Sequence, residues 1–283
     1  MMSLKEISRN KAFGGQVIKY EHHSNELDCD IKFNVYLPKE ADSAPVPAIY
    51  FLSGLTCNED NFIQKSGALV EAAKHGIALI APDTSPRGVS IQGDSDSWDF
   101  GTGAGFYVDA TEPSWAKHYR MYSYVVHELP ALINKSLPID GSKVSIMGHS
   151  MGGHGALTIF LKNSANYKSV SAFSPIANPI NCQWGQKAFT GYLGKNQETW
   201  KEYDTVELLK KFNGKVNALV DVGTSDNFLE NQLNIDTLKD TVGSLGKSSE
   251  WTIRYQPGYD HSYFFISTFI ADHIIHHAKA LKQ

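Results

Sequence analysis

Five short apolar runs, at residues 48–52, 77–81, 143–147, 169–173 and 217–222, constrain this 283-residue chain more than any other feature. Each is too brief to be a helix. Such runs suit strands buried on both faces, as in a parallel sheet. Helical periods separate them. They fall at residues 62–75 with Gly76 as a stop, at about 119–134 with Pro130 as an interruption, and at 155–161, 231–245 and 264–281. A further strand is expected at 251–255. Strand–helix alternation of this kind builds βαβ units with helices on both faces of the sheet. Residues 16–20 and 30–38 instead alternate apolar and polar, which predicts antiparallel strands at the N-terminal edge. With no linker or repeat in view, the expectation is one α/β domain over residues 1–283, with its longest loop at 88–105.

Charge and cysteine content exclude several classes of function. The chain carries 26 Lys and Arg against 30 Asp and Glu, a formal net charge of −4. No basic excess is available to neutralise phosphates, so nucleic acid and anionic membranes are not expected partners. Cys29, Cys57 and Cys182 form no CxxC pair. Disulfides and structural zinc are therefore not expected, and a reducing compartment is. No apolar stretch near residue 1 resembles a secretory signal, and no run of about 18 apolar residues exists to span a bilayer. The expected location is cytoplasmic. His273 and His277 have metal-ligand spacing but lack the carboxylate of an H-E-x-x-H pattern. They are read as solvated helix residues, and no metal or cofactor is expected.

The sequence Gly148-His149-Ser150-Met151-Gly152 follows the apolar strand at 143–147 and precedes small residues that start a helix. In that context G-x-S-x-G has a mechanical reading. The serine sits on a sharp strand-to-helix turn that pushes its hydroxyl out of the sheet. Residues two before and two after the serine crowd the turn, and glycine alone avoids the clash. The helix behind the serine adds a positive dipole where an oxyanion would develop. Ser150 is thus the candidate nucleophile.

A nucleophilic serine needs a base, and the base needs a carboxylate to orient it. His261 lies in a glycine-containing loop between the strand at 251–255 and the last helix, which suits the base. His149 and His154 flank the serine on the elbow itself. The segment 217–228, which begins with the apolar run at 217–222, offers Asp221 and Asp226. Asp226 is preferred because it lies in the polar turn beyond the strand, whereas Asp221 lies within it; Asp204 and Asp236 follow no apolar strand. The Met151 N–H and the Leu55 N–H, aimed by a turn at Gly54, are the expected oxyanion donors. Candidate substrate contacts are Cys57, Trp98, His149 and Trp184. Phe100 and Phe106 are further candidates for narrowing the acyl pocket. Cys57 is either an oxidisable group near the nucleophile or a small buried hydrophobe.

Five segments resemble the S-formylglutathione hydrolase (esterase D) family in the family's own order: residues 53–57, 83–88, 98–111, 148–156 and 258–265. The resemblance spans nearly the whole chain. It implies an α/β-hydrolase fold and hydrolysis of the thioester S-formylglutathione to glutathione and formate. It also implies Ser150, Asp226 and His261 as a triad, with Leu55 and Met151 as oxyanion donors. Family members are commonly cytoplasmic and often dimeric, so a homodimer is expected. Because glutathione carries two carboxylates, Arg87, Lys117, Arg120 and Lys187 are candidate anchors. The competing expectation is a general short-chain carboxylesterase with the same triad. An acyltransferase or a non-enzymatic binding protein on the same fold is less well supported, since all triad candidates are present and no secretory signal is seen.

Overall fold

The computed structural model describes residues 4–283. Among them, nine strands form one mixed sheet: β1 (Lys5–Ala12), β2 (Gly15–Ser24), β3 (Cys29–Leu37), β4 (Val46–Leu52), β5 (Ala78–Pro82), β6 (Ile139–His149), β7 (Val170–Phe173), β8 (Ala218–Gly223) and β9 (Trp251–Gln256). The α-helices are α1 (Glu59–Lys65), α2 (Ala68–His75), α3 (Met121–Ser123), α4 (Leu129–Ser136), α5 (Met151–Lys162), α6 (Gln183–Leu193), α7 (Gln197–Trp200), α8 (Thr205–Lys211), α9 (Ile235–Ser244) and α10 (Tyr263–Leu281). No helix among the described residues is long and apolar enough to cross a membrane.

The strand order is β1-β2-β3-β5-β4-β6-β7-β8-β9. β1, β2, β3 and β5 pair antiparallel, and the remaining neighbours pair parallel. The apolar runs thus become buried strands, along nearly the whole of β4, β5, β7 and β8 and over residues 144–149 of β6. Successive side chains of β4 point to opposite layers. Ile49 and Phe51 pack with Phe62, Ala72, Phe265 and Ile270 on one face. Ala48, Tyr50 and Leu52 pack with Leu129, Ile133, Leu157 and Phe189 on the other. The chain leaves β4 toward β5 on one side and returns to β6 on the other. That reversal opens a crevice at the carboxyl ends of β4 and β6, the usual ligand position in such sheets. Leu52 stands opposite Gly148 there, so the early loop and the serine elbow meet at this point.

Four expectations need correction. The helix expected over 62–75 is two helices, because Gly67 takes a left-handed φ of 72° and turns the chain between α1 and α2. The period at 231–245 opens as a wide turn (Leu229–Leu233), and α9 begins only after Asn234, at φ 52°. β1 was not expected, and its strand is exposed on both faces except at its end. It pairs along β2 without contributing to the core, so no burial pattern marks it in the sequence. Finally, His273 and His277 are fully buried rather than solvated. Their ring nitrogens are taken up by Ser171, Ser169 and Asp221, which leaves none for a metal.

Candidate active site

Ser150 occupies the single-residue turn between β6 and α5 at φ 57° and ψ −117°. A non-glycine residue in that region is strained and persists only where its surroundings hold it. Here the Ser150 N–H donates to Phe173 O at 2.9 Å, and the Ser150 carbonyl accepts from His154 N at 3.0 Å. The flanking glycines are sterically required. A β-carbon on Gly152 would lie 1.9 Å from Leu52 O, and one on Gly148 would lie 2.1 Å from Gly152 O.

Asp226 stands in the turn after β8, and His261 in the loop before α10. The His261 Nδ1–H donates to Asp226 Oδ2 at 2.5 Å. An ionised carboxylate only accepts, so this bond puts the proton on Nδ1 and leaves Nε2 as an acceptor. Asp226 Oδ1 accepts from the Phe228 N–H at 2.9 Å, and its side chain is fully buried. The His261 ring lies between His149, 4.5 Å away by centroid, and the edge-on ring of Phe228 at 5.0 Å. Ser150 and His261 are not hydrogen-bonded in this geometry; such contacts commonly tighten only in the substrate complex. Asp221, the alternative carboxylate, is committed elsewhere. It accepts a two-pronged bond from Arg254 (2.6 and 2.5 Å) and one from His273 at 3.2 Å. Burial alone would push its carboxyl up, but Arg254 and His273 hold it below the ordinary value.

His149 lies against the His261 ring, not merely on the elbow. Burial holds its ring well below the ordinary histidine value, and the neighbouring His261 adds to that. It is therefore a neutral wall of the site.

The loop after β4 reaches the elbow from the other side. A β-carbon on Gly54 would stand 3.1 Å from Ser150 Cβ. Met151 opens α5 and Leu55 lies in the loop after β4, so neither N–H is taken by the backbone ladder of a helix. Sequence reasoning missed the brace of this loop. The Tyr107 hydroxyl donates to Ser53 O at 2.9 Å, one residue before Gly54. Phe106 and Tyr107 both take φ 51°. His154 Nε2 bonds Phe106 O at 2.9 Å and pins that strained pair to α5. A run of consecutive left-handed aromatic residues leaves no sequence signal. The only cue is the glycine-rich segment around it.

The rim combines expected and unexpected features. Trp98 is 55% exposed and meets the buried Trp184 edge-on at 5.6 Å; Trp184 in turn touches Phe228 at 4.6 Å. These rings form a continuous wall ending at His261. Phe100 and Phe106 do not belong to it. Phe100 stacks on Tyr192 at 4.5 Å, and Phe106 is fully buried. Cys57 closes the loop turn through its N–H to Gly54 O at 3.3 Å, and its carbonyl accepts from Thr84 Oγ1 (2.5 Å) and Arg87 Nη2 (3.1 Å). Burial pushes its thiol above the ordinary value, so little of it is thiolate at neutral pH. The four basic candidates are all paired: Arg87 with Asp83, Lys117 with Asp28, Arg120 with Glu26, and Lys187 with Asp99.

An elbow serine and a carboxylate-oriented histidine, with a loop packed against the elbow, are the parts that acyl transfer requires. Comparison with known proteins agrees with that chemistry. The esterase family model, described as "Putative esterase", matches residues 24–276. The S-formylglutathione hydrolase of Rattus norvegicus is 57% identical over 282 residues, covering 99% of both chains. That of Arabidopsis thaliana is 52% identical over 282 residues, covering 99% of this chain and 98% of the relative. Among solved structures, an S-formylglutathione hydrolase from Agrobacterium tumefaciens superposes with a TM-score of 0.93 at 43% identity, covering 98% of this chain and 99% of that one. With full-length identity at this level and an α/β-hydrolase sheet, the chain belongs to the S-formylglutathione hydrolase family of esterases.

Proposed function

We propose that this chain hydrolyses the thioester S-formylglutathione to glutathione and formate through an acyl-enzyme on Ser150. The observation that carries the reading is the Asp226–His261 pair at 2.5 Å beside a strained elbow serine, in a chain whose full-length relatives are S-formylglutathione hydrolases. His261 Nε2 takes the Ser150 proton as Oγ attacks the formyl carbonyl. Asp226 holds the ring tautomer and stabilises the imidazolium. The Leu55 and Met151 amides receive the oxyanion; one such donor is typically worth about 2.7–4 kcal/mol of transition-state stabilisation. The tetrahedral intermediate collapses by breaking the C–S bond, and the His261 proton leaves on the glutathione sulfur or passes to solvent, which frees Nε2 for the second half-reaction. Water then attacks the formyl ester, His261 taking its proton, and formate departs as Ser150 regains its own. A thiolate leaves more readily than an alkoxide, so proton donation matters less in the first half-reaction. A neutral His149 beside His261 spares the imidazolium a like charge.

Three unpaired cysteines support a cytoplasmic location. The resemblance supports a single domain and a homodimer, the latter checked by sedimentation. The test of function is steady-state hydrolysis of S-formylglutathione beside 4-methylumbelliferyl acetate. A kcat/KM larger for the thioester by orders of magnitude is expected. Equal or inverted values would reduce the protein to a general short-chain carboxylesterase.

A further inference from the structure

Between α6 and the turn that follows Asp226 runs a groove of about 580 Å³. Six of its eight lining residues are Asn or Gln, and none carries a charge. Three of these carboxamides are held by the fold: Gln232 Oε1 accepts from Trp184 N at 3.1 Å, Gln186 Nε2 donates to Ile180 O at 3.1 Å, and Asn181 Nδ2 donates to Asn178 Oδ1 at 2.6 Å. Gln183, Asn227 and Asn231 are exposed. One end of the groove is Phe228, the residue whose ring meets His261 edge-on. At the other end Gln183 and Gln186 also line a second hollow, of about 540 Å³, which reaches Lys187. The Lys187 ammonium there donates to Ser97 Oγ at 2.7 Å and pairs with Asp99.

Acyl transfer fixes where the leaving group must lie. The base that takes the serine proton stands next to the leaving atom, because the same nitrogen can return a proton to it. The departing thiol therefore exits on the His261 side, where this groove begins. A carboxamide offers two donors and an acceptor without net charge. A row of them matches the alternating N–H and C=O groups of a peptide and imposes no charge of its own. The ion pair at the far end adds a cation for a carboxylate and an anion for an ammonium.

We propose that this carboxamide-lined groove is the leaving-group subsite. It takes a short peptide thiol, whose amides meet Gln183, Asn227 and Asn231 and whose terminal carboxylate reaches Lys187. The inference rests on the function proposed above and names the part of the surface that makes it selective. The groove, not the triad, then separates a glutathione thioester from a simple ester.

The test is the ratio of kcat/KM for S-formylglutathione to that for 4-methylumbelliferyl acetate, in wild type and in the Gln183→Ala/Asn231→Ala double variant. Each lost hydrogen bond removes roughly a factor of 2–10, so the ratio should fall by about tenfold, through KM of the thioester. A ratio within twofold of wild type, or a fall confined to kcat, overturns the subsite while leaving the proposed function intact. A wild type with no preference for the thioester overturns both. A second reading avoids thioester turnover and uses one exposed substitution. Inhibition of aryl-ester hydrolysis by S-methylglutathione should weaken severalfold in Asn231→Ala, and an unchanged inhibition constant contradicts the proposal.

Discussion

Tyr107 does most to define the site without touching the reacting atoms. Its hydroxyl donates to Ser53 O, and the loop carrying Gly54 and Leu55 continues from there. Its strained backbone is secured by His154. Tyr107→Phe should keep the fold and lower kcat by roughly tenfold with KM little changed, because the loop carrying the proposed oxyanion donor loses one hydrogen bond. Equal kinetics in both proteins would show that the loop is held without it. The two aspartates in and just after β8 give a sharper residue-scale test. Asp226→Asn should cost about 10⁴ in kcat with little loss of stability, because the histidine loses its orienting acceptor. Asp221→Asn should do the reverse. Breaking a buried ion pair costs about 3–5 kcal/mol, and Arg254 is partly exposed, so the low end applies, with activity retained. Denaturant unfolding and initial rates on both variants decide. Loss of activity without loss of stability in Asp221→Asn would reverse the assignment.

At the scale of elements, legibility followed burial. β4 to β8 are readable as apolar runs because both faces of each are covered, and α10 because its period is long. β1 is illegible for the opposite reason: it is held only by its ladder to β2. The break at Gly67 competes with a helical period that runs through it, and only the left-handed backbone reveals it. Candidate site residues divide in the same way. Ser150 is marked by the glycines that its turn requires, and His261 and Asp226 by chain order and by turns after strands. The Phe228 ring against His261 and the Tyr107 brace depend on how distant loops meet, which no local pattern encodes. Solvation of His273 and His277 was misjudged because one helical turn looks alike whether it faces water or a polar seam. That seam runs from Arg254 through Asp221, His273, Ser171 and His277 to Ser169 and Ser145.

Across the whole molecule, buried neutral histidines set the acid limit. Burial lowers His149, His273 and His277 below the ordinary value of 6.5, and His154 to about 4. A histidine that stays neutral when folded takes up its proton on unfolding, so the unfolded chain binds more protons below pH 6.5. Stability is therefore fully present above that value and falls as pH drops toward the folded pKa. For His154 alone the loss at pH 5 is about 2 kcal/mol, from 1.36 kcal/mol per unit. His22 and His276 are lowered by burial in the same way, and with six such residues Tm by calorimetry should drop roughly 5–15 °C between pH 7.5 and 5. A flat Tm over that range would mean that these rings are not buried as neutral species.

Every step of the proposed hydrolysis depends on Ser150 attacking the formyl carbonyl. Its most direct test is kcat/KM for S-formylglutathione in Ser150→Ala beside wild type. Loss of a triad nucleophile should lower the rate by about 10⁴–10⁶, with the circular dichroism and Tm of the protein retained. A folded Ser150→Ala protein within tenfold of wild type would contradict the elbow, the triad and the acyl-enzyme together.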